Sequence, residues 1–230
     1  MVEIIPAVLP KNFSELEASL GRVVGFATTV QIDVVDGIFA QNKTWPYGDE
    51  ARFEKICMGD EGLPHWDEFD FQFDLMLAQP ETEVLKFIDA GAAAVIVHAQ
   101  SAGAQAALEA LAQKNADVGD DLHTDVGVAL LPLAALEVLE PFAGLYDFVQ
   151  VMGIEKVGFQ GQGFDERALV LIAQLRAQYP DLIIQVDGGV SEHNAKVLAE
   201  AGANRLVVGS AIFAAPDALA ALATLKAVVY

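Results

Sequence analysis

A chain of 230 residues that is 53% hydrophobic can bury a large core, yet no uninterrupted apolar run approaches the roughly 20 residues a bilayer span requires. Acidic residues outnumber basic ones 33 to 13, a formal net charge of −20, so nucleic acid and anionic membrane surfaces are poor partners for its long-range field. The single cysteine, Cys57, excludes an internal disulfide and a cysteine-built metal cluster. With no basic leader before the first strand, it implies a cytoplasmic protein.

Short apolar runs alternate with helical stretches from end to end. Strands are predicted at residues 3–9, 29–34, 71–76, 94–98, 126–131, 148–152, 183–187 and 205–208. Helices are predicted at residues 12–24, 81–90, 102–114, 165–178, 192–201 and 216–228. Gly91 and Gly202 follow near-identical Asp-Ala and Glu-Ala pairs, where glycine stops a helix. No linker, repeat or low-complexity run divides the chain, so residues 1–230 are read as one domain. Eight strands with intervening helices favour an α/β fold of the (β/α)8 TIM-barrel type over an open doubly wound sheet. The stretch 39–70 is longer than a strand-to-helix connection needs and carries Trp45, Pro46, Tyr47, Gly48 and Trp66. It reads as a helix between two loops, with a substrate lid as the alternative.

Three strands end alike: Gln31-Ile32-Asp33, Gln72-Phe73-Asp74 and Gln185-Val186-Asp187. Alternation puts Gln and Asp on one face of each strand, whereas parallel strands are ordinarily apolar on both. Polar layers can simply fill a barrel mouth. Three aspartates at C-terminal strand ends, where barrel active sites lie, point instead to a site. Asp33 and Asp187 belong to the second and seventh strands and stand apart around the ring. That placement suits general acid–base chemistry in which one carboxylate removes a proton and the other returns one. Asp36, before Gly37, is read as turn chemistry and ranks below Asp33. Glycines cluster after the last three strands, at Gly158, Gly161 and Gly163, at Gly188-Gly189, and at Gly209-Ser210 before a short helical turn. Backbone N–H groups in such loops cradle phosphate.

At these residues the chain resembles the ribulose-phosphate 3-epimerase family. The similarity is carried by Ile32-Asp33-Val34-Val35-Asp36-Gly37, Asp74-Leu75-Met76, Gly158-Phe159-Gln160-Gly161-Gln162, Val186-Asp187-Gly188-Gly189 and Gly209-Ser210-Ala211-Ile212-Phe213. The resemblance implies an isomerase that interconverts ribulose 5-phosphate and xylulose 5-phosphate through an enediolate. Asp33 and Asp187 would be the acid–base pair. Gly161, Gly188, Gly189, Gly209 and Ser210 would hold the phosphate, and Met76 and Met152 would line the site. It also implies a homo-oligomer and a divalent metal held by two His and two Asp residues. Here the corresponding set is Gln31, Asp33, Asp74 and Asp187, with Gln31 and Asp74 in place of the histidines. An all-oxygen set favours Mg2+ or Mn2+ over Zn2+, and a site without metal is the alternative. Ala7 stands in place of a serine, Leu131 in place of an asparagine and Gln160 in place of a loop glycine. Two other readings stay open: a decarboxylase or aldolase on the same barrel, and a non-catalytic sugar-phosphate binder.

Overall fold

A computed structural model describes residues 2–119 and 123–229. Eight parallel strands close into a barrel in chain order, with the first paired to the last. They are β1 (Glu3–Val8), β2 (Thr29–Val35), β3 (Asp70–Met76), β4 (Ala92–His98), β5 (Asp125–Leu130), β6 (Phe148–Met152), β7 (Ile183–Asp187) and β8 (Arg205–Val208). The chain is thus a (β/α)8 TIM barrel.

Alternation along the strands divides the interior into two regions. Outward residues such as Ile32, Phe73, Val95, Val128 and Val186 join the large core between barrel and helices. Inward residues form separate small groups: Ile96, Phe148 and Met152 in one, and Ile5, Ala7 and Val207 in another. Between these apolar patches lie four fully or nearly buried glutamines, Gln31, Gln72, Gln150 and Gln185. The middle of this barrel is therefore polar, which leaves it dependent on hydrogen bonds.

The helices follow the expected order with different boundaries. Helix α1 (Phe13–Leu20) stops short because the chain turns back on itself, with Gly25 at a φ of +76° that no helix accommodates. Helix α2 (Glu50–Cys57) buries only Phe53 and Ile56, too few apolar positions to register as a helical period. The stretch 81–90 is split at Glu83, whose φ of −144° separates a 3-10 turn at Pro80–Thr82 from α3 (Val84–Asp89). Then come α4 (Ala104–Val118), a 3-10 segment at Leu136–Phe142 containing Pro141, and α5 (Arg167–Gln178). The outer layer closes with α6 (Ala195–Ala201), α7 (Ser210–Phe213) and α8 (Ala218–Val229). Trp45 is fully buried and meets Phe13 and Phe53 edge-on, with ring centroids 5.9 and 5.4 Å away. That packing makes the first part of the 39–70 stretch a wall of the barrel, while Trp66 is 71% exposed. Among the described residues, no helix is long and apolar enough to cross a membrane.

One glycine is fixed by sterics alone. A Cβ on Gly127 of β5 would lie 2.5 Å from Cζ of Phe148 and 2.9 Å from Cγ1 of Ile96, inside the barrel. Gly127→Ala is expected to lower stability by about 1–3 kcal/mol, the usual cost of overpacking, seen as a reduced urea midpoint. Adding Phe148→Leu should recover part of the loss, because it removes the atom that clashes.

Candidate active site

Strand register stacks the polar side chains in two tiers. Gln31 pairs with Gln72 and Gln150 with Gln185; one pleat nearer the C-terminal mouth, Asp33 pairs with Asp74 and Met152 with Asp187. Gln185 is the hub of the lower tier. Its Nε2 lies 2.7 Å from Oε1 of Gln150 and 3.2 Å from Oε1 of both Gln31 and Gln72, so two protons serve three acceptors. With their oxygens held downward, the amide nitrogens face up. Gln31 Nε2 donates to Asp33 Oδ1 and to Asp187 Oδ2, at 2.9 Å each. Gln150 Nε2 donates to Asp74 Oδ2 at 3.0 Å, and His98 Nε2 lies 2.9 Å from Asp74 Oδ1. Asp33 and Asp187, from strands apart in the ring, thus converge on a single amide.

Burial governs the chemistry of these carboxyls. Asp74 is fully buried and Asp33 and Asp187 are 6% and 9% exposed. Loss of water pushes the Asp33 carboxyl well above the usual range, and the neighbouring Asp187 and Asp74 push it further; the amides of Gln31 and Gln160 oppose them. Asp187 rises to about 7, again chiefly through burial and then through Asp74, against the Gln31 amide and the Gly188 N–H. Carboxyls so close cannot all ionise, so the pair holds a proton near neutrality.

Above the carboxyls opens a cleft. Asp33, Asp187, Met76, Met152, Gly161, Gly188, Gly189, Gly209 and Ser210 all line it, whereas Gln31 and Asp74 lie beneath its floor. Gly188 and Gly189 take φ values of +99° and +68°, and a Cβ on Gly189 would lie 2.7 Å from the backbone of Phe164. Only glycine follows that path. Asp36 is occupied otherwise: its Oδ1 accepts from the N–H groups of Ile38 and Phe39 and its Oδ2 from that of Ala78, tying the β2 loop to the end of β3. Sequence reading passed over Gln72 as a hub partner and over Gln150 altogether as a site residue. A signal for Gln150 existed, since Gln150-Val151-Met152 repeats the Gln-apolar-x strand end with methionine in place of aspartate.

Asp33, Asp74 and Asp187 each offer an oxygen within 4.8 Å of the other two. An exclusively carboxylate set suits a hard divalent cation. Gln31 does not present an oxygen to that set. Its Oε1 accepts from Gln185 and its Nε2 is spent on Asp33 and Asp187.

A family model described as the ribulose-phosphate 3 epimerase family matches residues 3–213. A ribulose-phosphate 3-epimerase of Schizosaccharomyces pombe is 31% identical over 216 residues, covering 92% of this chain and 86% of the relative. That of Eremothecium gossypii is 32% identical over 217 residues, covering 93% and 87%. Among solved structures, a 3-hexulose-6-phosphate synthase superposes with a TM-score of 0.69 at 20% identity over the full length of both chains, a likeness of fold.

Two outcomes test the tiers. Gln185→Leu leaves the amide oxygens of Gln31, Gln72 and Gln150 without that donor and is expected to cost about 1–3 kcal/mol in urea unfolding. The carboxyl shifts are upward, so the folded protein keeps protons that the unfolded chain releases, and stability falls as pH rises from near 3.8 to about 7. For chelator-treated protein, that fall should be smaller in Asp187→Asn than in wild type, because the substitution removes one raised carboxyl and its push on Asp33.

Proposed function

The chain belongs to the ribulose-phosphate 3-epimerase family, and from that premise we propose that it inverts C3 of a phosphorylated ketose of the ribulose 5-phosphate type, with Asp33 and Asp187 as the acid–base pair. One observation carries this reading: two buried carboxyls, drawn together by one amide and both raised towards neutrality, form the floor of a cleft walled by glycine loops.

Epimerisation needs one carboxylate and one carboxylic acid at the same time. The ionised member takes the C3 proton from one face; the C–H electron pair moves into the C2–C3 bond, and the carbonyl π pair onto O2, giving the enediolate. The protonated member then delivers its proton to C3 from the opposite face, and O2 becomes a carbonyl again. Turnover leaves the two protonation states exchanged, so the next cycle begins from the other epimer or after exchange with water. Carboxyls with raised affinity for protons suit both halves of the step.

Gly161, Gly188, Gly189, Gly209 and Ser210 are assigned to the phosphate. No Lys or Arg is among the described residues lining the cleft, so backbone N–H groups would supply the attraction that the chain's charge of −20 withholds. Met76 and Met152 line the cleft and give the sugar chain apolar surface. Asp33, Asp74 and Asp187 would hold a divalent cation, with Mg2+ or Mn2+ preferred over Zn2+ by their oxygen atoms. Such an ion would neutralise charge developing on the enediolate.

Incubation of ribulose 5-phosphate with the protein in D2O, followed by NMR, tests the assignment. Deuterium is expected at C3 together with xylulose 5-phosphate, faster with added Mg2+ or Mn2+ than with Zn2+ or chelator. Asp33→Asn and Asp187→Asn should each lose about 10²–10⁴-fold in kcat. Absence of exchange under every metal condition would overturn the epimerase reading.

A further inference from the structure

Gln160 lies in the loop after β6 between Gly158 and Gly161, whose φ values of +85° and +79° bend the chain over the cleft. Its side chain reaches back across the mouth. Nε2 donates to the carbonyl oxygen of Ala7 on β1 at 3.1 Å. It also comes so near β8 that a Cβ on Gly209 would lie 2.5 Å from it. The same amide opposes the upward push of burial on the Asp33 carboxyl. One side chain from the β6 loop thus spans the β1 wall and the glycine that follows β8, on the cleft that Asp33 also lines. All four residues line the same cleft.

Ala7 offers the cleft no polar side-chain atom, so on this wall the Gln160 amide is the polar group that a ligand meets. It lies between the glycines assigned to phosphate and the carboxyl assigned to the reacting carbon. A phosphorylated ketose has hydroxyl-bearing carbons in that interval. We propose that Gln160 is a specificity-determining residue that binds a hydroxyl of the sugar chain between phosphate and reacting carbon. It does from the β6 loop what a hydroxyl side chain at position 7 would do from β1. The inference rests on the epimerase reading for its substrate and adds to it the group that recognises the chain between the two ends.

Four proteins test it: wild type, Gln160→Gly, Ala7→Ser and the double variant, assayed with ribulose 5-phosphate and with inorganic phosphate as inhibitor. Gln160→Gly is expected to raise KM about tenfold with kcat changed far less, the scale of one lost hydrogen bond that leaves a polar group exposed. The inhibition constant of inorganic phosphate should stay within about twofold, because the amide reads the sugar chain. Ala7→Ser should lower KM markedly more in the Gln160→Gly background than in wild type. An unchanged KM in Gln160→Gly overturns the inference. So does a phosphate inhibition constant that rises in step with KM, which would make Gln160 a prop of the phosphate loops. A wild type that shows no C3 exchange sinks the epimerase reading separately. The inference is then decided by calorimetric Kd values for ribulose 5-phosphate across the same four proteins, with the same pattern supporting it and equal values refuting it.

Discussion

Three carboxyls at a nearly dry barrel mouth repel one another, and burial penalises each negative charge further; the Asp33, Asp74 and Asp187 site is organised around that cost. Its answer comes from below. Gln185 draws the oxygens of Gln31, Gln72 and Gln150 towards itself, and this orients the Gln31 and Gln150 nitrogens at the carboxyls. Gln31 or Gln150 turned the other way would set its N–H groups against those of Gln185 below and its oxygen against a carboxyl above. The arrangement is therefore cooperative: each amide's orientation is fixed by its neighbour's. Gln31 holds Asp33 and Asp187 together without removing either from the cleft.

The phosphate end obeys a different constraint. A chain of charge −20 repels a sugar phosphate at long range, so affinity must arise at contact distance. Glycine loops after β6, β7 and β8 permit that, because close approach of backbone N–H groups needs no cationic side chain. Loop geometry and barrel closure then become linked. Asn42 of the β2 loop donates to the carbonyl oxygen of Gly158 at 2.8 Å, and Thr44 Oγ1 donates to the carbonyl oxygen of Asp33 while accepting from the N–H of Val35. The β2 loop therefore anchors both an acid–base residue and the start of the loop that carries Gln160 and Gly161.

What was legible in the sequence follows from these two constraints. Strand positions could be read because buried parallel strands are short apolar runs, and β6, β7 and β8 fall on the residues expected for them. The Gln-x-Asp strand ends could be read because polar pairs are out of place on such strands. A helix was expected within 39–70, but the bounds of α2 could not be read from two buried positions in eight residues, and the outer helices were misjudged at their ends because caps and turns decide them, not periodicity. The roles within the site were less legible still. Gln31 looked like a donor of oxygen to a metal, since spacing alone cannot tell which end of an amide faces inward. That orientation is decided by Gln185, 154 residues away in the chain, and pairwise spacing contains no trace of it.

The same logic explains why Gly209 and Gln160 must be understood together. Sequence presents Gly209 as one more turn glycine before α7 and Gln160 as one polar residue in a loop. In space the missing Cβ of Gly209 is the room into which the Gln160 amide extends. A larger residue at 209 would expel that amide from Ala7, so on the proposed reading this glycine sets what the cleft shows to the sugar. On the proposed reading, anchoring of the phosphate and recognition of the carbon chain are not separate modules. They share one backbone position, and a change there alters both.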